Sequence, residues 1–204
     1  MGIARGQGWG TVGALPAGGV VVSSDAEARA VVTGARQAGT EVPAIGLLGG
    51  DLCRTLGGVG DEDRLRRGPA TVVSCDLGSA LVDGRLGYFV AHLVARRRGW
   101  RGGGFVAMNA AWLGTWNLGP SAHPGDGWLD TYHARLGLRQ ALAVRARLPL
   151  GAHLPHPGIT ARRTRALQVD LDAALPVLLD GEAVGPPARS LSVRVEPDAL
   201  TVVV

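Results

Sequence analysis

Residues 19–56 read GVVVSSDAEARAVVTGARQAGTEVPAIGLLGGDLCRTL, and this stretch decides the first part of the fold. Its pattern predicts a short buried strand at 19–23, a helix over 25–39 that ends at a glycine, and a second strand at 42–48. A short helix is expected directly afterwards. This strand–helix–strand–helix order indicates a small α/β unit with a parallel pair of strands.

The carboxyl ends of those two strands are the first candidate site. In α/β units of this kind, ligands gather where the parallel strands end. The residues at these ends are Ser23, Ser24, Asp25, Gly49, Gly50 and Asp51. Two aspartates are therefore expected near the same edge of the sheet.

The rest of the chain is dominated by strand patterns. A polar segment at 57–68 predicts a linker, and an arginine-rich helix is expected at 138–148. Short apolar runs predict strands at 70–77, 86–95, 104–112, 127–136, 166–171, 176–180, 189–196 and 199–204. The last two strands predict a hairpin with Pro197-Asp198 at its turn. The fold class is therefore α+β, with a reduced α/β portion at 1–65 and a mainly antiparallel β-sandwich domain at 66–204.

Composition excludes several kinds of site. All 21 basic residues are arginine, which rules out a Walker A lysine, a protein-kinase lysine and a Schiff-base lysine. The net charge of +4 favours acidic partners such as nucleotides or an anionic membrane surface. The two cysteines are too few for a disulfide framework, and no apolar stretch is long enough to span a bilayer. We therefore expect a cytoplasmic protein.

Two groups of charged residues are candidates for binding. Four arginines around Trp100 could bind phosphate, lipid headgroups or nucleic acid, although a solvated loop is the simpler interpretation. They are Arg96, Arg97, Arg98 and Arg101. The second group is acidic: Asp126 lies in a glycine turn, and Asp180 and Glu182 flank Gly181. Each is compatible with an ordinary turn, but carboxylates from two loops could share a magnesium ion.

The sequence resembles the diacylglycerol kinase catalytic-domain family, which also includes sphingosine kinases and bacterial lipid kinases. The segments that carry the resemblance are NAAWLGTWNLGPSAHPGDGWLD (109–130), PHPGI (155–159) and PVLLDGEAVG (176–185). The residues that match the family pattern are Asn109, Gly114, Pro120, Ala122, Pro124, Asp126, Gly127, Leu129, Asp130, Asp180, Gly181 and Glu182. The resemblance is clearest over residues 104–204.

The resemblance implies magnesium-dependent transfer of phosphate from ATP to a lipid hydroxyl. Asp180 and Glu182 would activate the acceptor hydroxyl or hold metal-bound water, and Asp126 would support Mg²⁺. All three are thus candidate metal residues. The partner would be a lipid or lipid-like small molecule, with peripheral membrane contact and no specific nucleic acid. Neither the acceptor lipid nor the oligomeric state follows from the sequence.

The part of the chain that would bind ATP departs from the family pattern. The family's Gly-Gly-Asp-Gly-Thr loop is replaced by SSDAE at 23–27, so Glu27 stands where a phosphate-contacting Thr is expected. The candidate nucleotide-binding residues that remain are Asp25, Gly49, Gly50 and Asp51. An inactive family member that binds a lipid or a protein partner is therefore the alternative to an active lipid kinase.

Overall fold

The computed structural model describes residues 9–97 and 103–204. In chain order the strands are β1 (Thr11–Gly13), β2 (Val20–Val22), β3 (Ile45–Leu47), β4 (Ala70–Val82), β5 (Arg85–Phe89), β6 (His92–Arg96), β7 (Gly104–Met108), β8 (Leu129–Ala134), β9 (Ile159–Thr164), β10 (Ala166–Leu175), β11 (Val177–Leu179), β12 (Glu182–Ala183) and β13 (Ala188–Val203). The helices are α1 (Asp25–Ala38), α2 (Gly50–Thr55), α3 (Glu62–Arg67) and α4 (Leu138–Arg147), and a 3-10 turn follows at Leu148–Leu150.

The first sheet is built on two long antiparallel strands, β4 and β13. One end of the sheet has the order β1-β4-β13-β3-β2, whereas at the other end β5 pairs with β4 and β10 pairs with β13. Strands β2 and β3 are parallel, as the sequence predicts, and β3 also runs parallel to β13. The α/β portion therefore shares a sheet with the rest of the chain, and the proposed boundary at residue 65 stays a prediction.

The second sheet is antiparallel and packs on the first to form a β-sandwich. Its order is β12-β11-β6-β7-β8-β9. Phe89 and Leu191 of the first sheet share one buried cluster with Phe105 and Leu129 of the second. The predicted fold class, an α/β portion followed by a mainly antiparallel β-sandwich, is confirmed.

Helix α1 begins and ends at the residues that the sequence indicates. The Ser24 hydroxyl accepts a hydrogen bond from the Glu27 N–H, and Gly39 ends the helix in the left-handed conformation. Ala28 and Val32, one turn apart, are buried in the same cluster as Leu47 of β3. This packing fixes the position of the β2–α1 turn relative to the end of β3.

The predicted C-terminal hairpin is wrong, because 188–203 form one continuous strand. Both halves pair with β4 in the same direction, from Leu191 opposite Val82 to Val203 opposite Val72. Between them lies a bulge in which Asp198 has a φ of 54° and its N–H bonds to the Asp76 carboxylate. The predicted linker at 57–68 contains α3, and the predicted strand at 86–95 is divided between β5 and β6.

Within the described ranges, the structure has no helix with the length and apolar character needed to cross a membrane.

Candidate functional site

The two strand-to-helix turns of the parallel pair are joined by the Asp25 carboxylate. Asp25 is the first residue of α1, yet its oxygens accept hydrogen bonds from the N–H groups of Asp51, at 2.5 Å, and Leu52, at 3.1 Å. It thereby caps the N-terminus of α2 from a different part of the chain. The ends of β2 and β3 therefore lie together, as the sequence predicts.

The adjacent glycines allow the two turns to approach this closely. A Cβ at Gly50 would lie 2.5 Å from Asp25 Oδ1, and its backbone has a φ of +96°. A Cβ at Gly49 would lie 2.7 Å from the Ser23 carbonyl oxygen. The absence of a side chain at both glycines therefore permits the close contact between the two turns.

Asp25, Asp51 and His92 form an acidic cluster at this edge of the sheet. The His92 ring, on β6, lies with its Nε2 atom 2.9 Å from Asp51 Oδ2. Within residues 9–97 and 103–204, these three are the one group whose ligand atoms could share a single metal ion. Nδ1 of His92 is buried and has no hydrogen-bond partner.

The cluster is electrostatically coupled. Burial raises the pKa of Asp25, against the opposing effect of its two backbone hydrogen bonds. Burial acts in the same direction on Asp51, but hydrogen bonds from His92 and Gly114 outweigh it and hold that pKa below its usual value. Burial acts to lower the pKa of His92, yet the neighbouring Asp51 and Asp180 raise it overall. The His92–Asp51 contact therefore raises the pKa of the imidazole and lowers that of the carboxylate.

The loop after β7 closes over Asp51. The Gly114 N–H lies 2.9 Å from both Asp51 oxygens, and Arg54 donates to the Gly114 carbonyl while stacking 3.5 Å from the Trp112 ring centre. Asn109 is fully buried and donates to the carbonyls of Asp76 and Val90. Gly114 thus attaches this loop to Asp51, whereas Asn109 holds the start of the loop against the backbone of residues 76 and 90.

Asp180 lies in a two-residue turn between β11 and β12 and points into the protein. Asp180 and Gly181 both have positive φ, as hairpin turns of this length require. The buried carboxylate accepts hydrogen bonds from the N–H groups of residues 90–92, at 2.8 to 3.0 Å. Burial raises its pKa to about 6, although the nearby His92 opposes this. His92 connects Asp180, through its N–H, to Asp51, through its ring.

Glu182 and Asp126 lie on other partners. Glu182 is 63% exposed and forms an ion pair with Arg29 of α1. Asp126 accepts a hydrogen bond from the Trp128 N–H at 3.0 Å and forms an ion pair with Arg163. Asp180 contacts the cluster only through the His92 N–H. In the part of the chain that the structure describes, neither Asp126, Asp180 nor Glu182 belongs to a group that could share one metal ion.

The first strand-to-helix turn is closed by its own side chains. The Glu27 carboxylate accepts the Ser23 N–H at 2.7 Å, while the Ser24 hydroxyl accepts the Glu27 N–H. Glu27 therefore occupies the position that an anion would take at the N-terminus of a helix. In this arrangement the turn does not fit a phosphate group.

The acidic cluster does fit a magnesium ion. Mg²⁺ prefers oxygen ligands and binds through one or two carboxylates, which Asp25 and Asp51 can provide. Imidazole is a ligand for softer metals, so His92 is better suited to orienting Asp51 than to binding Mg²⁺ directly.

Sequence reasoning missed two residues of this site. His92 is a lone polar residue in an apolar run, LGYFVAHLVA at 86–95, and that was the available signal. No feature of the sequence indicated Arg29, because a helical arginine is usually solvated. Of the arginine cluster around Trp100, the structure describes Arg96 and Arg97, whereas Arg98, Trp100 and Arg101 lie outside the described residues.

Comparisons with known proteins identify relatives. Residues 81–204, more than half of the chain, match the family model described as the YegS C-terminal NAD kinase beta sandwich-like domain. No curated protein matches the chain. Solved structures with the same fold include two of a "putative diacylglycerol kinase from Bacillus anthracis str. Sterne", each 14% identical to this chain. They cover 90% of this chain and 77% and 76% of their own, with TM-scores of 0.63 and 0.64.

Proposed function

This chain belongs to the diacylglycerol kinase family, and from that premise we propose that it is a lipid kinase-like phosphotransferase. The proposed reaction is magnesium-dependent transfer of a phosphoryl group from ATP to the hydroxyl of a lipid or lipid-like alcohol. One observation carries the proposal: Asp25, Asp51 and His92 converge at the carboxyl ends of the parallel strands, with Asp180 hydrogen-bonded to the His92 N–H.

Each acid has a proposed role. Asp25 and Asp51 would hold Mg²⁺, which neutralises phosphate charge when bound. Asp180 and Glu182 would activate the acceptor hydroxyl or hold metal-bound water, and Asp126 would support the metal. Burial raises the pKa of Asp180 to about 6, a value that favours proton transfer near neutral pH. Both Asp180 oxygens accept backbone N–H bonds, so Asp180 would have to release one of them to accept a proton. Glu182 would have to leave Arg29 to take part.

The nucleotide would be held through the metal rather than by the first turn. Glu27 fills that turn, and the chain has no lysine to compensate. Gly49 and Gly50 would contribute by keeping Asp51 in place.

A second candidate is a catalytically inactive family member that binds a lipid or a protein partner. The same Glu27 contact favours it, because a fixed carboxylate at the phosphate position repels the nucleotide. The Glu182–Arg29 ion pair also favours it, since it holds a proposed catalytic group on α1.

Calorimetric titration with ATP, with and without Mg²⁺, separates the two candidates. The kinase proposal expects magnesium-dependent binding that Asp51→Asn abolishes and Asp61→Asn, at the exposed N-cap of α3, leaves intact. It also expects lipid-dependent ATP consumption that Asp180→Asn lowers by orders of magnitude. Because this substitution also removes an acceptor from a buried backbone N–H, circular dichroism must show that the variant is folded before its activity is compared. Absence of nucleotide binding in the wild-type protein would favour the inactive candidate.

A further inference from the structure

The chain from 131 to 169 has an unusual charge distribution. It contains seven arginines and no aspartate or glutamate, although the whole protein has a net charge of only +4. Two of these arginines, Arg135 and Arg163, pair with acids outside the segment. This region runs from within β8 through α4, the following 3-10 turn, a proline-containing loop and β9 to the start of β10. Its positive charge is therefore a property of one surface region rather than of the whole protein.

The arginines of α4 are not neutralised by neighbouring acids. Arg139, Arg145 and Arg147 form no ion pair with any residue that the structure describes, and Arg145 lies 5.4 Å from the Trp116 ring centre. Helix α3 is a useful contrast, because its Arg66 and Arg67 each pair with an acid one turn earlier.

The same region exposes large apolar side chains. Leu138, Leu142 and Leu150 are 73%, 60% and 81% exposed, and they are three of the seven exposed large hydrophobic residues in the described chain. Leu138 and Leu142 lie one turn apart on the same side of α4. Val144 and Leu148 are already buried beneath the helix, so the exposed leucines are not needed to fix α4 on the sheet.

An open groove lies in the segment that follows the 3-10 turn. The groove is lined by Leu154, Pro155, His156, Pro157, Ile159 and Ala161. Leu154 and Ile159 pack on the same cluster as Val144 and Leu148. Exposed leucines beside unpaired arginines are the features of a helix that lies in a membrane interface.

We propose that α4 and residues 148–161 form a surface that binds an anionic lipid bilayer. The arginines would contact lipid phosphates, and Leu138, Leu142 and Leu150 would enter the apolar region below the headgroups. Nucleic acid fits less well, because it would leave the leucines in water. The idea that a lipid acceptor reaches the protein through this surface rests on the proposed function. Binding to the bilayer does not, because it is measured without nucleotide or catalysis.

Vesicle co-sedimentation tests the proposal. The full chain is expected to bind vesicles of phosphatidylcholine and phosphatidylglycerol, but not phosphatidylcholine alone, and added salt should weaken binding. Leu138→Ser with Leu142→Ser should lower the partition constant about tenfold. Arg139→Gln, Arg145→Gln and Arg147→Gln together should remove the preference for anionic vesicles.

The chain offers matched controls for both changes. Leu81→Ser with Leu86→Ser alters two exposed leucines on the β4–β5 pair, and Arg66→Gln with Arg67→Gln alters paired arginines. Neither should change binding. If the leucine variant does not fold, Leu142→Cys carrying an environment-sensitive fluorophore should report transfer to an apolar environment, whereas Leu86→Cys should not. Loss of binding in the controls, no binding by the wild type, or preference for nucleic acid over vesicles would overturn the proposal.

Discussion

The two strand-to-helix turns of the parallel pair, at 22–27 and 47–52, each hold a carboxylate, but in different ways. At the first turn, Glu27 accepts an N–H from its own turn and is exposed to water. At the second, the acceptor is Asp25, a buried residue from the first turn. One carboxylate closes an anion site locally, whereas the other joins two parts of the chain and faces His92 and Asp51. The comparison shows that two carboxylates of one turn can have different consequences for stability and binding, depending on which N–H groups they accept.

Asp25→Ala should have the largest effect on stability. Its removal leaves the N–H groups of Asp51 and Leu52 without their acceptor, at a cost of about 3 kcal/mol in the free energy of unfolding. Glu27→Ala should cost no more than about 1 kcal/mol, because water can replace an exposed acceptor. Urea denaturation of both variants measures the difference. Equal losses would mean that the two turns do not differ in the way described.

Gly50→Ala tests the close approach at the second turn. The new Cβ would collide with Asp25, and the backbone would be held at a positive φ, so we expect a loss of about 2 kcal/mol. Gly34→Ala is the matched control in the interior of α1, where a Cβ would meet no atom. That change should stabilise the protein by about 0.5 to 1 kcal/mol. Thermal denaturation of both variants would reveal whether Gly50 tolerates a side chain.

The elements that the sequence predicts well are those with a strong local signal. The parallel pair, α1 and α4 follow from hydrophobic periodicity and caps. The C-terminal hairpin fails because Pro197-Asp198 also suits a bulge, and only pairing with β4 distinguishes the two. Asp25 and Asp51 could be placed at one edge from strand order, but His92 reaches them from β6, and no sequence pattern gives that contact.

Glu27→Gln removes the negative charge from the first turn. Removing the negative charge while keeping the side-chain size should tighten binding of Mg-ATP about tenfold, or about 1.4 kcal/mol. Glu41→Gln changes an exposed glutamate beyond the end of α1 and should leave binding unaltered. Titration calorimetry compares the three proteins. Unchanged affinity in Glu27→Gln would show that this carboxylate does not govern access of phosphate.

The smallest expected effect is the dependence of stability on pH that His92 gives to the second turn. The neighbouring acids outweigh burial and raise the pKa of His92, so the folded protein binds this proton more tightly than the unfolded chain does. The resulting stabilisation is complete below the unfolded pKa and is lost as the pH rises through the folded pKa. The raised pKa of Asp180 also makes the protein less stable as the pH rises, but only up to about pH 6. Of these two groups, His92 is therefore the one that accounts for a loss of stability above neutral pH.

Urea denaturation at about pH 6 and about pH 8.5 checks this expectation. The wild-type protein should lose stability over this interval, and His92→Gln should lose less. His133→Gln is the matched control, because burial and Arg135 lower the pKa of His133 and give it the opposite pH dependence. An equal loss in His92→Gln and the wild type would contradict a raised pKa of His92 beside Asp51. If the loss of stability is smaller in His92→Gln alone, the pH dependence belongs to the second turn. At the first turn, Glu27 has no histidine among the hydrogen-bond partners described for it.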